Sequence, residues 1–172
     1  MRKLAKGRRR CRTPDVGRQW GVMATLKTHR FPVDVRWLEG KLTVASVPGK
    51  EPLEVATPPV FQGGVEGVWS PEDMFVGAVA TCYTVTLVSM MRRRNAPLRA
   101  LQVHSSGDVG QRFDGRYGFM AVDLEVILET DAGFETEARG AAVDAEQTCL
   151  VAASLDTPVN LAVQVRTAAV AA

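Results

Sequence analysis

The sequence predicts one domain of α+β type, with about six strands in a curved antiparallel sheet against one long apolar helix. The helix is indicated by residues 70–95, where eighteen consecutive uncharged residues stand between an acidic pair and three arginines. The strands are indicated by segments in which apolar and polar residues alternate with the period of two of a half-buried strand. The length of 172 residues suits a single domain, and 46% hydrophobic with 23% charged residues is ordinary for a globular protein.

Three short strands are expected to open the domain as an antiparallel meander. In the first, Phe31, Val33, Val35 and Trp37 alternate with proline and charged residues. The segments KLTVASV and LEVAT follow after the turn-forming stretches EGK and VPGKEP. A loop rich in proline and glycine, PPVFQGGVEGVW, then leads to the long helix. It is not a linker between domains, because each side is too small to fold alone.

Both ends of the long helix carry the residues that helix termini favour. Ser70 is a good N-cap, Pro71 suits the first helical position, and the acidic residues at 72–73 complement the positive end of the helix dipole. The arginines at 92–94 complement the negative end, and Asn95 ends the helix. The prediction is a helix of about 24 residues, roughly 36 Å long.

A hairpin, a second helix and a final strand are predicted for the rest of the chain. The segments LRALQVHSSGDV and GFMAVDLEVILET are predicted to be strands joined by the polar loop GQRFDGRYG. The segment ETEARGAAVDAEQTCLVAASL is predicted to be a helix that is interrupted near Cys149, and PVNLAVQVRT to be the closing strand.

The apolar run in the long helix has two structural interpretations. Its eighteen uncharged residues reach the length of a membrane span. However, the run contains Gly77, Tyr83 and several hydroxyl side chains, and the amphipathic strands need an apolar element to cover. We therefore expect a helix that is buried on all sides and does not enter a membrane. Because one sheet covers only one flank of such a helix, the sequence predicts a homodimer in which a second chain covers the other.

The first 22 residues differ from the rest in charge. They contain eight lysines or arginines and one acidic residue, which leaves thirteen basic against eighteen acidic residues from Met23 onward. No apolar stretch of a secretory signal follows these charges. We expect residues 1–22 to be a basic, disordered extension, or to precede a true start at Met23, and residues 23–172 to be the folded domain. A surface for nucleic acid or a membrane is the alternative, but nothing in the folded part supports binding of nucleic acid.

Cysteines are the residues best suited to chemistry in this chain. Cys11, Cys82 and Cys149 occur without a secretory signal, which indicates a reducing, cytoplasmic location where a structural disulfide does not persist. A buried cysteine often packs as a small hydrophobic residue, and this is one interpretation of Cys82. The other is a reversible disulfide between Cys82 and Cys149, which requires Cα atoms within about 7 Å of each other.

No metal and no cofactor are expected. The sequence contains no CxxC, no His/Cys cluster, no GxGxxG and no Walker loop, and His29 and His104 stand alone.

Two segments together resemble a known family. VATPPVFQGGVEGVWSPEDMFVGAVATCYTVTLVSMMRR and AEQTCLVAASL are similar to the OsmC/Ohr family (osmotically inducible protein C and organic hydroperoxide resistance), closer to its OsmC-like branch. The similarity lies in a proline and glutamate at the helix start, a cysteine ten residues after that glutamate, and a late second cysteine. It extends from about Phe31 to Arg166. The family implies an α+β fold in which two intertwined chains enclose each central helix and form two active sites at their interface.

The same resemblance implies a thiol-dependent peroxidase that reduces organic hydroperoxides to alcohols. Cys82 would be the nucleophile that becomes a sulfenic acid, Cys149 would form a disulfide with it, and an external dithiol would restore both thiols. An apolar hydroperoxide is the expected substrate, with Met74, Phe75 and Val79 among the walls near Cys82. These roles describe an antioxidant oxidoreductase of the oxidative stress response.

Two further site residues are implied by the family pattern. Glu72 corresponds to a glutamate that orients a cation beside the thiolate. It lies about 15 Å along the helix axis from Cys82, so we expect it to serve the site of the partner chain. The family's cation is an arginine after a glycine in the first hairpin, whereas here Lys41 follows Gly40. Lysine keeps the charge but loses the bidentate fork of arginine, and Arg36 is the alternative cation nearby.

The sequence leaves a second class of function open. A relative with the same fold can bind small apolar ligands in the dimer pocket without catalysis, or act as a thiol redox sensor. A cysteine hydrolase is disfavoured, because neither histidine stands in a recognisable nucleophile–base motif.

Overall fold

The computed structural model describes residues 28–168, and the predicted basic extension at residues 1–22 lies outside that part of the chain. The chain divides into two units between residues 32 and 33, and the helices and strands below belong to the second unit. As predicted, they form an α+β fold. In chain order the elements are β1 (Asp34–Glu39), β2 (Leu42–Ser46), β3 (Leu53–Ala56), α1 (Pro71–Arg93), β4 (Ala100–Gln111), β5 (Tyr117–Thr130), α2 (Glu135–Thr148), a 3₁₀ turn (Ala152–Ser154) and β6 (Val159–Thr167).

The strands form two three-stranded sheets, which differs from the single antiparallel sheet expected from the sequence. One sheet has the order β1-β2-β3 and the other the order β4-β5-β6. Neighbouring strands are antiparallel except β5 and β6, which run parallel from Val122 opposite Val159 to Thr130 opposite Thr167. Helix α2 connects β5 to β6, and a helical crossover returns the chain to the same end of the sheet, which makes the pair parallel.

Helix α1 begins and ends close to the predicted residues. The Asp73 N–H donates to the Ser70 hydroxyl at 3.0 Å, and the Ser70 N–H donates to the Asp73 carboxylate at 2.8 Å, which completes a capping box. Pro71 is the first helical residue, and the helix runs for 23 residues to Arg93. Asn95 follows with a φ of 52°, the left-handed conformation common after helices.

The core lies between the two helices and one face of the sheet β4-β5-β6. Alternate residues of β5, from Val122 to Leu128, are at most 1% exposed and face this core. Helix α2 contributes a row of buried alanines, whose small side chains allow close packing of the helix. The buried residues of α1 are Val79, Tyr83, Leu87, Met90 and Met91.

Residues 28–168 do not cover the opposite face of α1. Its exposed residues follow helical spacing in one stripe that includes Met74, which is 37% exposed, and Val85, which is 64% exposed. Within residues 28–168, α1 is the one helix long and apolar enough to cross a membrane, a property shared by core helices of soluble proteins. The sequence predicted a helix buried on all sides, and residues 28–168 bury one face of α1 only. The stripe consists of Met74, Ala78, Thr81, Val85 and Ser89, so it is an uncharged and largely apolar surface that lacks a partner in the described part of the chain.

The sheet β1-β2-β3 places Lys41 in its first turn. Gly40 has a φ of +46°, a conformation that glycine adopts without strain, and Lys41 follows it before β2. Strand β1 exposes Val35 and Trp37 at 65% and 67%. This sheet is tied to the entrance of α1 by the Ala56 N–H, which donates to the Trp69 carbonyl at 2.9 Å.

Candidate active site

The two cysteines expected to react lie on the two packed helices. Cys82 is in the middle of α1 and is half-buried, whereas Cys149 is fully buried at the C-terminal end of α2. Both are free thiols. As predicted, the second helix is interrupted at Cys149, whose backbone is extended with φ −64° and ψ 114°. The interruption turns the chain from α2 toward α1.

Tyr83, next to Cys82 in sequence, fixes the position of α2 relative to α1. Its hydroxyl donates to the backbone carbonyl of Ala142 at 3.2 Å, and the side chain is fully buried. Burial raises the pKa of Tyr83, with a smaller contribution from the negative charge of Glu146. The phenol therefore stays protonated and remains a donor, which holds α2 and Cys149 beside Cys82.

Neighbouring donors change the pKa of the Cys82 thiol. Burial alone raises the pKa of this thiol, but the N–H of Val151, the thiol of Cys149 and the N–H of Leu150 oppose that effect. Their combined effect is larger, so the pKa of Cys82 is lowered from its ordinary value. Hydrogen bonds to the charged form favour the thiolate. Cys82 is therefore the thiol prepared to lose its proton.

Cys149 is shifted in the opposite direction. Burial raises its pKa, the N–H of Ala152 opposes this, and the hydrogen bond to Cys82 with the charge on that sulfur raises the pKa further. Cys149 therefore keeps its proton more firmly than Cys82 does. The two sulfurs thus differ in role, one an acceptor with thiolate character and the other a buried thiol.

Glu72 lies in the first turn of α1, outside the set of groups that contact Cys82. Its Oε2 atom is buried and has no hydrogen-bond partner within residues 28–168, and the same holds for the Oγ atom of Ser105. Both residues line a cleft of about 390 Å³ between α1 and β4. The apolar residues of this cleft include Trp69, Val76, Ala80, Val103, Val109 and Phe119.

Lys41 is likewise outside the contacts of Cys82. Its exposed ammonium group donates to the carbonyl of Gln62, in the loop before α1. Among the described residues, the structure therefore brings together Cys82 and Cys149 and leaves Lys41 and Glu72 in other surroundings of the same chain.

The apolar residues expected near Cys82 are distributed over three places. Val79 is fully buried in the core, Met74 lies on the exposed stripe of α1, and Phe75 stacks on Phe119 with ring centroids 4.4 Å apart.

Sequence reasoning did not identify three of the groups around Cys82. Thr86 follows Cys82 by four residues, a spacing that places two helical residues on one face, so it was detectable from the sequence. Its hydroxyl donates to the Cys82 carbonyl at 2.8 Å. The N–H groups of Leu150 and Val151 carry no side-chain signal, because every residue except proline has the same N–H.

Comparison with known proteins shows where this chain belongs. The family model described as OsmC-like protein matches residues 64–164. The uncharacterized protein YmaD of Bacillus subtilis is 28% identical over 138 residues, which cover 77% of this chain and 91% of that protein.

Solved structures share the fold at low sequence identity. An OsmC-like protein of unknown function from Vibrio cholerae has a TM-score of 0.74 at 16% identity, covering 80% of this chain and 100% of that chain. An organic hydroperoxide resistance protein from Elizabethkingia anophelis has a TM-score of 0.64 at 17% identity, covering 83% and 100%. Similarity at these identities concerns the fold alone. Because the family match spans more than half of the 172 residues, the chain belongs to the OsmC-like protein family.

Proposed function

We propose that the protein is a thiol-dependent peroxidase that reduces organic hydroperoxides to alcohols. The observation that carries the proposal is the packing of Cys82 against the core cluster that contains Cys149, together with the lowered pKa of Cys82 and the raised pKa of Cys149. A lowered thiol pKa is typical of reactive cysteines, whereas a cysteine that only fills space in a core is inert. The family supports the same reaction, because one solved structure with this fold is named an organic hydroperoxide resistance protein.

The reaction begins at the sulfur of Cys82. The thiolate attacks the terminal oxygen of the hydroperoxide, the O–O bond breaks, and the leaving alkoxide takes a proton to become the alcohol. Cys82 is then a sulfenic acid. The sulfur of Cys149 attacks it, an S–S bond forms, and one water leaves with the Cys149 proton. An external dithiol reduces this disulfide and is itself oxidised, which restores both thiols.

The active protein in this proposal is a homodimer in the cytoplasm. Support for the dimer comes from the uncovered apolar stripe of α1, which includes Met74 and Val85. Further support comes from Glu72, whose buried Oε2 has no partner within residues 28–168. A buried carboxylate oxygen without a partner is costly, so a cation from the second chain would stabilise it. Lys41, the residue that matches the family's arginine, is the candidate for that cation.

The test is the consumption of cumene hydroperoxide by purified protein with dithiothreitol as the reductant. We expect turnover by the wild type and none by Cys82→Ser, because a serine hydroxyl does not supply the required anion at neutral pH. Hydrogen peroxide serves as the comparison substrate, and we expect it to react more slowly than the apolar hydroperoxide. Wild-type protein that leaves both peroxides intact would end the proposal.

A non-enzymatic binder of small apolar ligands is the second candidate. The observation that favours it is the cleft of about 390 Å³ beside Glu72, whose walls are mainly apolar. A fluorescent apolar probe that binds the wild type and is displaced by small ligands would support this function. In that case Trp69→Ala, in the wall of the cleft, should weaken binding while Cys82→Ser should not.

A further inference from the structure

The hydroxyl of Ser105 is a buried polar group whose place in the site is still unassigned. Its Oγ atom has no hydrogen-bond partner within residues 28–168, and the same is true of the Oε2 atom of Glu72. Ser105 lies on β4 and Glu72 in the first turn of α1, yet both line the cleft of about 390 Å³ between these elements. Buried polar groups are almost always paired, because an unpaired one costs free energy. The cleft therefore needs an occupant that hydrogen-bonds to both atoms.

The walls of the cleft indicate the chemistry of that occupant. They include the apolar side chains of Trp69, Val76 and Val103. A carboxylate at one point and apolar walls elsewhere match the side chain of a lysine, which buries its carbon stem and carries a positive charge at its tip. Of the two Glu72 oxygens, Oε2 is the one that is buried without a partner among the described residues. One oxygen suits an ammonium group better than the two parallel donors of a guanidinium group.

Lys41 has donors available for these two atoms. It is exposed, its ammonium group donates to the Gln62 carbonyl, and its stem runs beside Gly63, where an added Cβ would lie 3.6 Å from the Lys41 Cε. An ammonium group has three donors, so two remain beyond the bond to Gln62. The cleft holds two unpaired atoms. No ion pair within residues 28–168 joins Lys41 to Glu72, so a lysine that fills the cleft has to come from a second chain.

We infer that Ser105 is a positioning residue of the dimer, whose hydroxyl holds the ammonium group of the partner's Lys41 together with the Glu72 carboxylate. Ser105 accepts one of the two remaining donors and Glu72 accepts the other. A single carboxylate oxygen leaves the direction of an ammonium group open, whereas a second acceptor on a different element fixes it. The inference adds Ser105 to the pairing of Lys41 with Glu72, and it rests on the homodimer of the proposed function.

The test is a double-mutant cycle of Ser105→Ala and Lys41→Met, measured by urea unfolding at a fixed protein concentration. Loss of the Ser105 hydrogen bond should raise the unfolding equilibrium constant of the dimer about a hundredfold, roughly tenfold for each of its two sites. In the Lys41→Met background, Ser105→Ala should cause no further loss, because the donor is already missing. The matched control is Ser106→Ala, at an exposed position of the same strand, which should change little in either background.

The pH profile of Cys82 alkylation by iodoacetamide separates positioning from simple support of the fold. Lys41→Met should raise the midpoint of this profile, because the thiolate loses a positive charge. Ser105→Ala should raise it by less, since the charge stays but is held less firmly. The double variant should show no higher midpoint than Lys41→Met alone. An unchanged midpoint in both single variants would overturn the positioning role.

Equal effects of Ser105→Ala on unfolding in the two backgrounds would overturn the inference, and so would a monomeric wild type. If Ser105→Ala does not fold, Ser105→Thr and Ser105→Val decide, because they share a shape and differ in the hydroxyl. The threonine variant should be the more stable, and equal stability would contradict the contact. Neither measurement uses a peroxide. Coupling without hydroperoxide turnover therefore keeps the Ser105 contact and removes the enzyme, whereas turnover with additive substitutions keeps the enzyme and removes the contact.

Discussion

Removing the sulfur of Cys149 should change the fate of Cys82 without preventing its first reaction. Cys149 is fully buried, and its thiol is one of the donors that lower the pKa of Cys82. Cys149→Ser replaces this donor by a hydroxyl, whereas Cys149→Ala removes it. Both variants lose the thiol that would trap a sulfenic acid. The pair of variants therefore separates the hydrogen bond of Cys149 from its role in forming the disulfide.

The size of the hydrogen-bond effect follows from the charge on its acceptor. A hydrogen bond to a charged group contributes about 1.5 kcal/mol, and one pKa unit corresponds to about 1.4 kcal/mol. Cys149→Ala should therefore raise the pKa of Cys82 by about one unit, and Cys149→Ser should leave it near the wild-type value. Because a higher pKa means less thiolate, Cys149→Ala should react about tenfold more slowly below both midpoints. Above them the two variants should react alike.

Intact-protein mass spectrometry after treatment with cumene hydroperoxide provides the assay. With a stoichiometric amount of peroxide the wild type should lose the mass of two hydrogens, as a Cys82–Cys149 disulfide forms. Both Cys149 variants should instead gain one oxygen on Cys82, and two or three with excess peroxide, because the sulfenic acid has no partner. A wild type that never forms this disulfide, or Cys149 variants with full sustained turnover, would refute the reasoning.

The remaining predictions concern stability, assembly and the N-terminal residues. Tyr83→Phe should cost about 1 kcal/mol of unfolding free energy through the lost bond to Ala142, or roughly 2–4 °C in melting temperature; an unchanged melting curve would contradict that role. Light scattering should find a dimer in the wild type and monomers or aggregates for Val85→Asp, which puts a charge on the exposed stripe; a stable wild-type monomer at micromolar concentration would rule out the dimer. Protein that starts at Met23 should match the full chain in melting temperature and hydroperoxide turnover, and a large loss in either would assign a role to residues 1–22.

The start of α1 shows how much local sequence can determine. Ser70, Pro71 and the acidic pair that follows satisfy the first free N–H groups of a helix through their own side chains and charges. These interactions span a few residues, so the sequence alone predicted the helix start and its length. The alternation in β5 was equally informative, because apolar residues at every second position show which side of a strand is buried.

The pairing of the strands was decided by tertiary structure. The alternating pattern of β6 predicts a strand, yet it does not state that its neighbour is β5 or that the pair is parallel. The connection through α2 decides both. The strand patterns likewise did not state that the strands of residues 28–168 form two sheets and not one.

The candidate site was likewise predictable from the sequence only in part. The two cysteines were identifiable because a thiol is a rare side chain with its own chemistry, and the break at Cys149 was visible in the sequence. The donors that lower the pKa of Cys82 were not, since the N–H groups of Leu150 and Val151 are identical to those of almost every other residue. Their approach to Cys82 depends on how the turn after α2 packs against α1, and no local pattern in the sequence states that packing.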